Sequence, residues 1–502
     1  MEATYVKLLG PVIIYILKTL SERITAQNQD SNKVSEAVRR HLTQVLNWAS
    51  NVNFFGMNEP KSVEQATIAL DIYTQPRRFQ NTKEPNKAIS ENDLLTNEKH
   101  VLLLGEPGSG KTTTIKRLAL TMLVKEPVAQ NDIYQFPMVI RLNELVEGES
   151  LFSKIADILG LVTQTREVTY YIDGRDERGR PIKIQSKRTE IHIGDGKVED
   201  VIPKFLNEGY TLLLLDGLDE LKSDYRDIIR KEIVKLGLSL DFSKIIVSCR
   251  TGDYRHLMEG FSVLEISPLS EKQINSIKDR WLGKKETTFI ERYKNLPYFD
   301  LANRPLLLTQ LLFMYKRSGY LPEQPSQIYK KLISLLLEDW DSQREIRRSS
   351  QYAGFDPRQK AEFLAALAYQ LTYSLDKKRF NERDLIKAYM SVCKRFNLPE
   401  NEAQEVAREI QTHNGIIIIG PNDIYEFCHL SLQEYLCADY LVRTPLETLV
   451  TTYLSKYSSP LAVAVSLSSN PSSWFSALIL NFGNLKDFDE DSMISFLSRI
   501  LI

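Results

Sequence analysis

The sequence predicts an α/β domain with a mostly parallel sheet covered by helices on both faces, followed by a helical domain and a winged-helix domain, so that the chain is mostly α overall. Three observations carry this expectation. Residues 101–104, 211–215 and 244–248 are short, wholly apolar strands separated by helical stretches, the pattern of a parallel sheet buried on both sides. After Pro268 the chain turns helical for more than a hundred residues. That stretch ends in two apolar strands, 416–419 and 424–427, around the turn Gly420-Pro421-Asn422-Asp423, which suits the wing of a winged helix.

A chain of 502 residues exceeds one ordinary core. The expected division is an N-terminal helical domain over 1–75, the α/β domain over 76–267, a helical domain over 268–350, the winged helix over 351–445 and a short C-terminal helical domain over 446–502. In the first, apolar residues recur at helical spacing through Val6, Leu9, Ile13, Leu17 and Leu20, and again through Leu42, Val45, Leu46 and Trp48. Residues 74–96 are polar, contain Pro76 and Pro85, and read as a linker. Further strands are expected at 136–142 and 263–266, and a helix at 112–123. Residues 165–193 interrupt the alternation. Exposed strands at 169–172, 181–184 and 189–193, with turns at Asp173-Gly174 and Arg178-Gly179, suggest a basic β-hairpin insertion that is either a solvated arm or a contact for a partner. Ser270 and Gln273 form the ends of a capping box that opens the helical domain. Helices are then expected at 305–317, 327–341, 357–374, 382–396 and 432–442. No repeat of 20 to 50 residues is visible.

Composition excludes several classes. The net charge of −1 supplies no global attraction to nucleic acid or to an anionic membrane. The four cysteines are scattered without C-x-x-C spacing or a histidine cluster, which argues against zinc and suits a reducing cytoplasm. No apolar run reaches the roughly 18 residues of a membrane span. The apolar N-terminal segment 8–17 is broken by Gly10-Pro11, and core packing is the expectation for it ahead of contact with a membrane surface.

One loop carries the chemistry. Gly105, Glu106, Pro107, Gly108, Ser109, Gly110, Lys111 and Thr112 satisfy G-x-x-x-x-G-K-[ST], with an apolar strand before and a helix after. In such a loop the glycines let backbone N–H groups turn inward onto phosphate oxygens, and the helix N-terminus adds its positive end. Lys111 reaches the outer phosphates, Thr112 can ligate Mg²⁺, and Thr113 follows in the first turn. The strand 211–215 delivers Asp216 at its C-terminal tip, where an open α/β sheet binds ligands. Asp216 is the expected second magnesium ligand, and Asp219 and Glu220 are candidates to orient an attacking water. Arg250 ends a third apolar strand, where it either touches a γ-phosphate or pairs with a loop carboxylate such as Asp253.

These residues together resemble a NACHT-type member of the STAND class of signal-transduction ATPases. The carrying motif is Asp216-Gly217-Leu218-Asp219-Glu220, in which an acidic pair follows the magnesium Asp after Gly and Leu. Asn303-Arg304-Pro305-Leu306-Leu307-Leu308 resembles the family's proline motif, with Asn303 where Gly is usual. Residues 427–436, from Phe427 through His429 to Leu436, resemble its winged-helix histidine motif, and Ser431 with Glu434 reads as a capping box there. The resemblance covers about residues 95–445. It implies bound ATP or ADP with Mg²⁺, adenine against Pro305, His429 on the β-phosphate of ADP in a closed form, and slow hydrolysis that resets the switch. It further implies self-association on activation and a cytoplasmic role in innate immunity or antiviral (phage) defence, with an unidentified trigger, for which a viral protein is one candidate, and an unidentified downstream effector. The alternatives are an ATP-gated nucleic-acid-binding regulator, which the net charge disfavours, and an AAA+-like remodelling ATPase.

Overall fold

Wholly apolar strands need cover on both faces, and the tertiary structure supplies it. A computed structural model describes the chain between residues 14 and 500, except 15, 21, 28, 53, 55–59, 80–85, 98, 107, 125–135, 176–180, 222, 252–253, 255–256, 295–301, 323–324, 343–349, 414–415, 420–423, 428–429, 445–457, 483–495 and 498–499. The strands are β1 (Asn51–Val52), β2 (Lys61–Ser62), β3 (Asp71–Tyr73), β4 (Ala88–Ser90), β5 (His100–Gly105), β6 (Phe136–Arg141), β7 (Thr163–Arg175), β8 (Pro181–Ile193), β9 (Gly196–Lys197), β10 (Thr211–Asp216), β11 (Lys244–Arg250), β12 (Phe261–Ile266), β13 (Arg379–Phe380), β14 (Ile417–Ile419) and β15 (Tyr425–Phe427).

Seven of these form one sheet in the order β4-β3-β12-β5-β11-β10-β6. The five strands from β12 to β6 are parallel. Strands β10 and β11 are buried at every residue, as the absence of polar alternation in their sequences requires. The register aligns Leu215 with Val247 and Ile140, and Cys249 with Leu104, so the C-terminal tips of β5, β10 and β11 emerge side by side. Helix Lys111–Val124 packs on β5, β6, β10 and β11.

The polar segment 74–96 is more than a linker: it holds β4, which pairs with β3 just upstream, and the two add an antiparallel extension beside β12. Each is three residues long and Ile72 is the one buried side chain of β3, too little to show as periodicity. The insertion forms two 13-residue strands that pair from Thr163↔Ile193 to Arg175↔Pro181. Asp173-Gly174 lies inside β7, with Gly174 opposite Ile182, because a continuous antiparallel partner outweighs a local turn preference. Arg178-Gly179 lies outside the described residues.

Upstream of β3, residues 1–75 are not wholly helical, since β1 and β2 pair between the helices. Ile16, Leu20 and Ile24 are buried in the common core; Val6, Leu9 and Ile13 lie outside the described residues. Helix Ser31–Ser50 is capped by Asp30 and packs on helix Lys111–Val124 and on β6. Among the described residues no helix is long and apolar enough to cross a membrane.

The downstream half follows its expected helices closely. Ser270 and Gln273 form a reciprocal capping box on helix Glu271–Leu282, and helix Pro305–Ser318 starts with Pro at its first turn and stops at left-handed Gly319. Helices Pro357–Tyr369, Glu382–Val392 and Ala403–His413 surround a small sheet ordered β13-β15-β14, which completes a winged helix. Helix Leu430–Leu441 follows, so Ser431 falls within its first turn rather than at its cap. Helices Ser458–Leu467 and Pro471–Phe482 occupy the described part of 446–502.

Strand β6 is the last of the sheet, and an edge strand leaves N–H groups unpaired. His41 covers one of them: its Nε2 accepts from the Val139 N–H at 3.3 Å, and its ring stands edge-on to Phe136. Burial pushes the His41 imidazole down to about 4, so the ring is neutral at pH 7, as an acceptor must be. A folded value below the unfolded one means that this stability is present above pH 6.5 and lost as pH falls toward 4. Relative to His41→Gln, the wild type should lose about 3 kcal/mol between pH 7 and pH 4 in urea unfolding; parallel pH profiles for the two proteins would contradict the assignment.

Candidate functional site

The turn after β5 is shaped by its glycines. Gly108 has φ +73° and Gly110 φ +104°, values that side-chain-bearing residues rarely adopt. A Cβ on Gly108 would lie 2.8 Å from the Leu306 side chain, and one on Gly110 would lie 2.8 Å from Leu70. The loop is thus gripped from upstream by Leu70 and from downstream by the start of helix Pro305–Ser318. The second grip includes a main-chain bond, since the Leu306 N–H donates to the Gly108 carbonyl at 3.2 Å. That N–H is one of the donors a helix leaves unpaired at its N-terminus.

Lys111 starts the helix and folds back on the loop, donating from Nζ to the carbonyls of Gly105 at 2.6 Å and Glu106 at 3.1 Å. The Glu106 side chain turns away into a buried charged cluster. Burial raises its carboxyl above the usual range, against the pull of Arg77, whose guanidinium is 3.7 Å away, and of Arg304. Arg77 also pairs with the buried Glu265 at 3.0 Å, and Glu265 accepts from Thr251. Glu106 can therefore serve a ligand through its main chain. Pro107 lies outside the described residues.

The sheet register brings the acidic motif against this loop. Asp216, at the tip of β10, accepts from Ser248 at 2.5 Å and from the Thr112 hydroxyl at 3.3 Å. Ser248 also accepts from the Gly217 N–H at 2.8 Å. The hydroxyl of Thr112 and the carboxylate of Asp216 are hard oxygen donors in contact, a set that fits Mg²⁺ sharing its remaining positions with phosphate and water. Among the described residues no group of three or more His, Cys, Asp or Glu could hold a metal on its own.

Asp219 and Arg250 form a buried pair. Asp219 Oδ1 accepts from the Arg250 N–H at 3.0 Å and Oδ2 from its Nε at 2.8 Å, with each side chain 3% exposed. Arg250 is thus held by Asp219, and Asp253 lies outside the described residues. Glu220 is half-buried, and both it and Arg250 line the cavity beside the loop.

That cavity is lined by Gly108, Gly110, Lys111, Thr112, Thr113 and the Asp216–Glu220 turn together with Val52, Phe54, Ala66, Thr67, Ile68, Leu70, Ile277, Pro305, Leu306 and Thr309. Polar and apolar lining together suit a ligand that joins phosphates to a flat base. Pro305 lines the same cavity. His429 lies outside the described residues. The other apolar residues escaped the sequence reading, because none belongs to a motif and they come from four separate segments. Ser248 could have been found: it lies inside the strand that ends in Arg250, on the tip that faces Asp216.

A family model described as the NACHT domain matches residues 99–285, and one described as the winged helix-turn-helix domain C-terminal to NACHT matches residues 326–441. Together they span more than half of the chain. The chain is a NACHT-domain STAND NTPase. It therefore belongs among nucleotide-binding switch proteins on a P-loop NTPase fold. A search of curated proteins found no match. Among solved structures, this NACHT protein is similar to a Walker-type ATPase of Pyrococcus abyssi, at 14% identity over 69% of this chain and 93% of that one, with a TM-score of 0.36. It is similar also to a STAND protein with a tetratricopeptide repeat sensor from Pyrococcus horikoshii, at 11% identity over 87% and 55% of the two chains, with a TM-score of 0.27. A third is the Orc1 protein of Aeropyrum pernix, solved in complex with DNA, at 16% identity over 69% and 88%, with a TM-score of 0.32. Likeness at these scores carries no argument about function.

The buried pair and the cavity acid should respond differently to mutation. Asp219→Ala leaves the Arg250 charge buried and should cost about 3–5 kcal/mol in denaturant unfolding. Glu220→Gln should leave stability within about 0.5 kcal/mol. Equal losses in the two variants would contradict the geometry.

Proposed function

We propose that this NACHT protein binds ADP and ATP with Mg²⁺ in the cavity between the phosphate loop and Pro305, hydrolyses ATP slowly, and uses the difference between the two nucleotides as a switch. The observation that carries the reading is the single cavity in which Lys111, Thr112, Asp216, Glu220, Arg250 and Pro305 converge. Gly105, Gly108, Ser109 and Gly110 would supply main-chain donors to phosphate, with Lys111 as the point charge. Thr112 and Asp216 would hold Mg²⁺, which supplies charge neutralisation at the phosphates. Glu220 is the better candidate to orient water, because both Asp219 oxygens already accept from Arg250. Asp219 in turn would fix Arg250 at the strand tip, ready to respond to a γ-phosphate.

The closed form would be an ADP complex that spans the α/β domain and the winged helix through Lys111 and His429. For His429 the support is its motif alone. ATP would favour an open form that self-associates, by no more than its differential affinity for the two forms. The family resemblance supports a cytoplasmic role in innate immunity or defence against phage, with trigger and effector unidentified. A nucleic-acid-gated regulator is disfavoured by the net charge of −1.

Lys111→Ala should lower ADP and ATP affinity by a hundredfold or more in calorimetry, on the order of 3 kcal/mol for a desolvated charge at phosphate. Retained tight binding would overturn the site. His429→Ala should speed release of a fluorescent ADP analogue by at least about tenfold, equivalent to one lost charge-assisted contact; an unchanged rate would remove the proposed latch.

A further inference from the structure

Part of the cavity wall comes from the segment that leaves helix Ser31–Ser50. Val52 and Phe54 line the cavity. The same segment is tied to the phosphate-loop helix through Lys116. Its Nζ donates to the Asn51 carbonyl at 2.5 Å and lies 4.8 Å from the centre of the Trp48 ring. Asn51 is the C-cap of helix Ser31–Ser50, whose last turn carries no basic residue of its own. Lys116 thus supplies the positive charge that a helix C-terminus favours. On the far side, Phe54 meets Trp281 edge-on with ring centres 4.7 Å apart. Trp281 is a fixed strut: it is 5% exposed, donates to the Ala66 carbonyl at 3.1 Å, and carries the Lys61 ammonium at 4.9 Å from its ring.

Residues 48–52 together with Phe54 therefore form a strap, with Val52 and Phe54 in the nucleotide cavity and Trp48 and Asn51 fastened to the helix that begins at Lys111. We propose that this strap makes helix Ser31–Ser50 a reader of nucleotide occupancy. The base of an adenine nucleotide rests against Val52 and Phe54, the strap is ordered between base and Trp281, and Lys116 passes that order into the helix end at Trp48 and Asn51. This rests on the nucleotide reading of the cavity given above. Phe54 is a ligand-contact residue in this scheme, and Lys116 is a positioning residue that touches no ligand. The coupling is reciprocal: conformers with the helix undocked bind nucleotide more weakly. Undocked conformers are the minor population, so cutting the link at Lys116 changes the helix and hardly changes the overall affinity.

The test is hydrogen exchange on the full chain, nucleotide-stripped and with saturating Mg²⁺-ADP, alongside calorimetric ADP affinity. In the wild type, ADP should slow exchange about fivefold or more in peptides from 31–52, as well as in helix Lys111–Val124. Lys116→Met should keep ADP affinity within about threefold and keep protection of helix Lys111–Val124, yet lose the ADP effect at 31–52. Lys116→Arg should restore it. Phe54→Ala should weaken ADP roughly tenfold through the lost ring contact and lose the effect at 31–52 as well. If ADP binds the wild type but leaves 31–52 unchanged, or if Lys116→Met keeps the effect, the strap inference is overturned and the cavity reading stands. If the wild type binds no adenine nucleotide, the cavity reading falls, and the strap with it.

Discussion

The hydrogen bond from the Leu306 N–H to the Gly108 carbonyl ties the phosphate loop to the helical half of the molecule. A loop built on glycines has many conformations to lose, and a free one would hold its N–H groups in no particular direction. Here Leu306 grips Gly108 and Leu70 grips Gly110, so the loop is shaped by two segments that flank the α/β core in sequence. The grip works in both directions. Helix Pro305–Ser318 has lost one donor to proline, and it satisfies the next on the loop that it restrains. A movement of the helical module must therefore disturb the loop, which is a property a nucleotide switch can use.

The remaining chemistry depends on register. Parallel pairing of β5, β11 and β10 carries Gly105, Arg250 and Asp216 to one rim. Ser248 then bridges Asp216 to the turn at Gly217, and the Asp219–Arg250 pair stitches the acidic turn to the neighbouring strand. Burying both partners is costly, and the two charge-assisted bonds they share offset that cost only in this geometry. The pair is better regarded as a fixture that orients the rim than as a reservoir of stability. Glu106, Arg77 and Glu265 form a second buried ionic cluster behind the loop, reached through Thr251, which follows Arg250 directly. The two clusters give adjacent residues of one strand end different anchors.

The N-terminal segment belongs to the same mechanical unit. Helix Ser31–Ser50 seals the edge strand through His41, lies on the helix that begins at Lys111, and continues into the strap that walls the cavity. The winged helix contributes a separate module, in which helix Ala403–His413 buries one face through Val406, Ala407 and Ile410.

Much of this was readable from the chain alone, where the chemistry is local. The loop from Gly105 to Thr112 and the acidic run after Asp216 are contiguous, so each shows as a motif in the chain. The apolar strands, the capping box at Ser270 and the proline-led helix at Pro305 are equally local, each set by burial or by one turn of backbone. What tertiary structure alone decided are the pairings across long separations. Nothing in the sequence near Arg250 shows that Asp219 would hold it, or that Glu106 would turn to Arg77. Nothing marks Val52 and Phe54 as cavity wall, since an apolar side chain carries no record of which surface it will cover. Short strands such as β3 and β4 escape notice for a related reason: three residues span too little of a period, and their stability comes from the sheet they join. The sequence by itself determined which groups could grip a phosphate; only the fold determined what holds those groups in place, because that depends on contacts whose partners lie tens to hundreds of residues away.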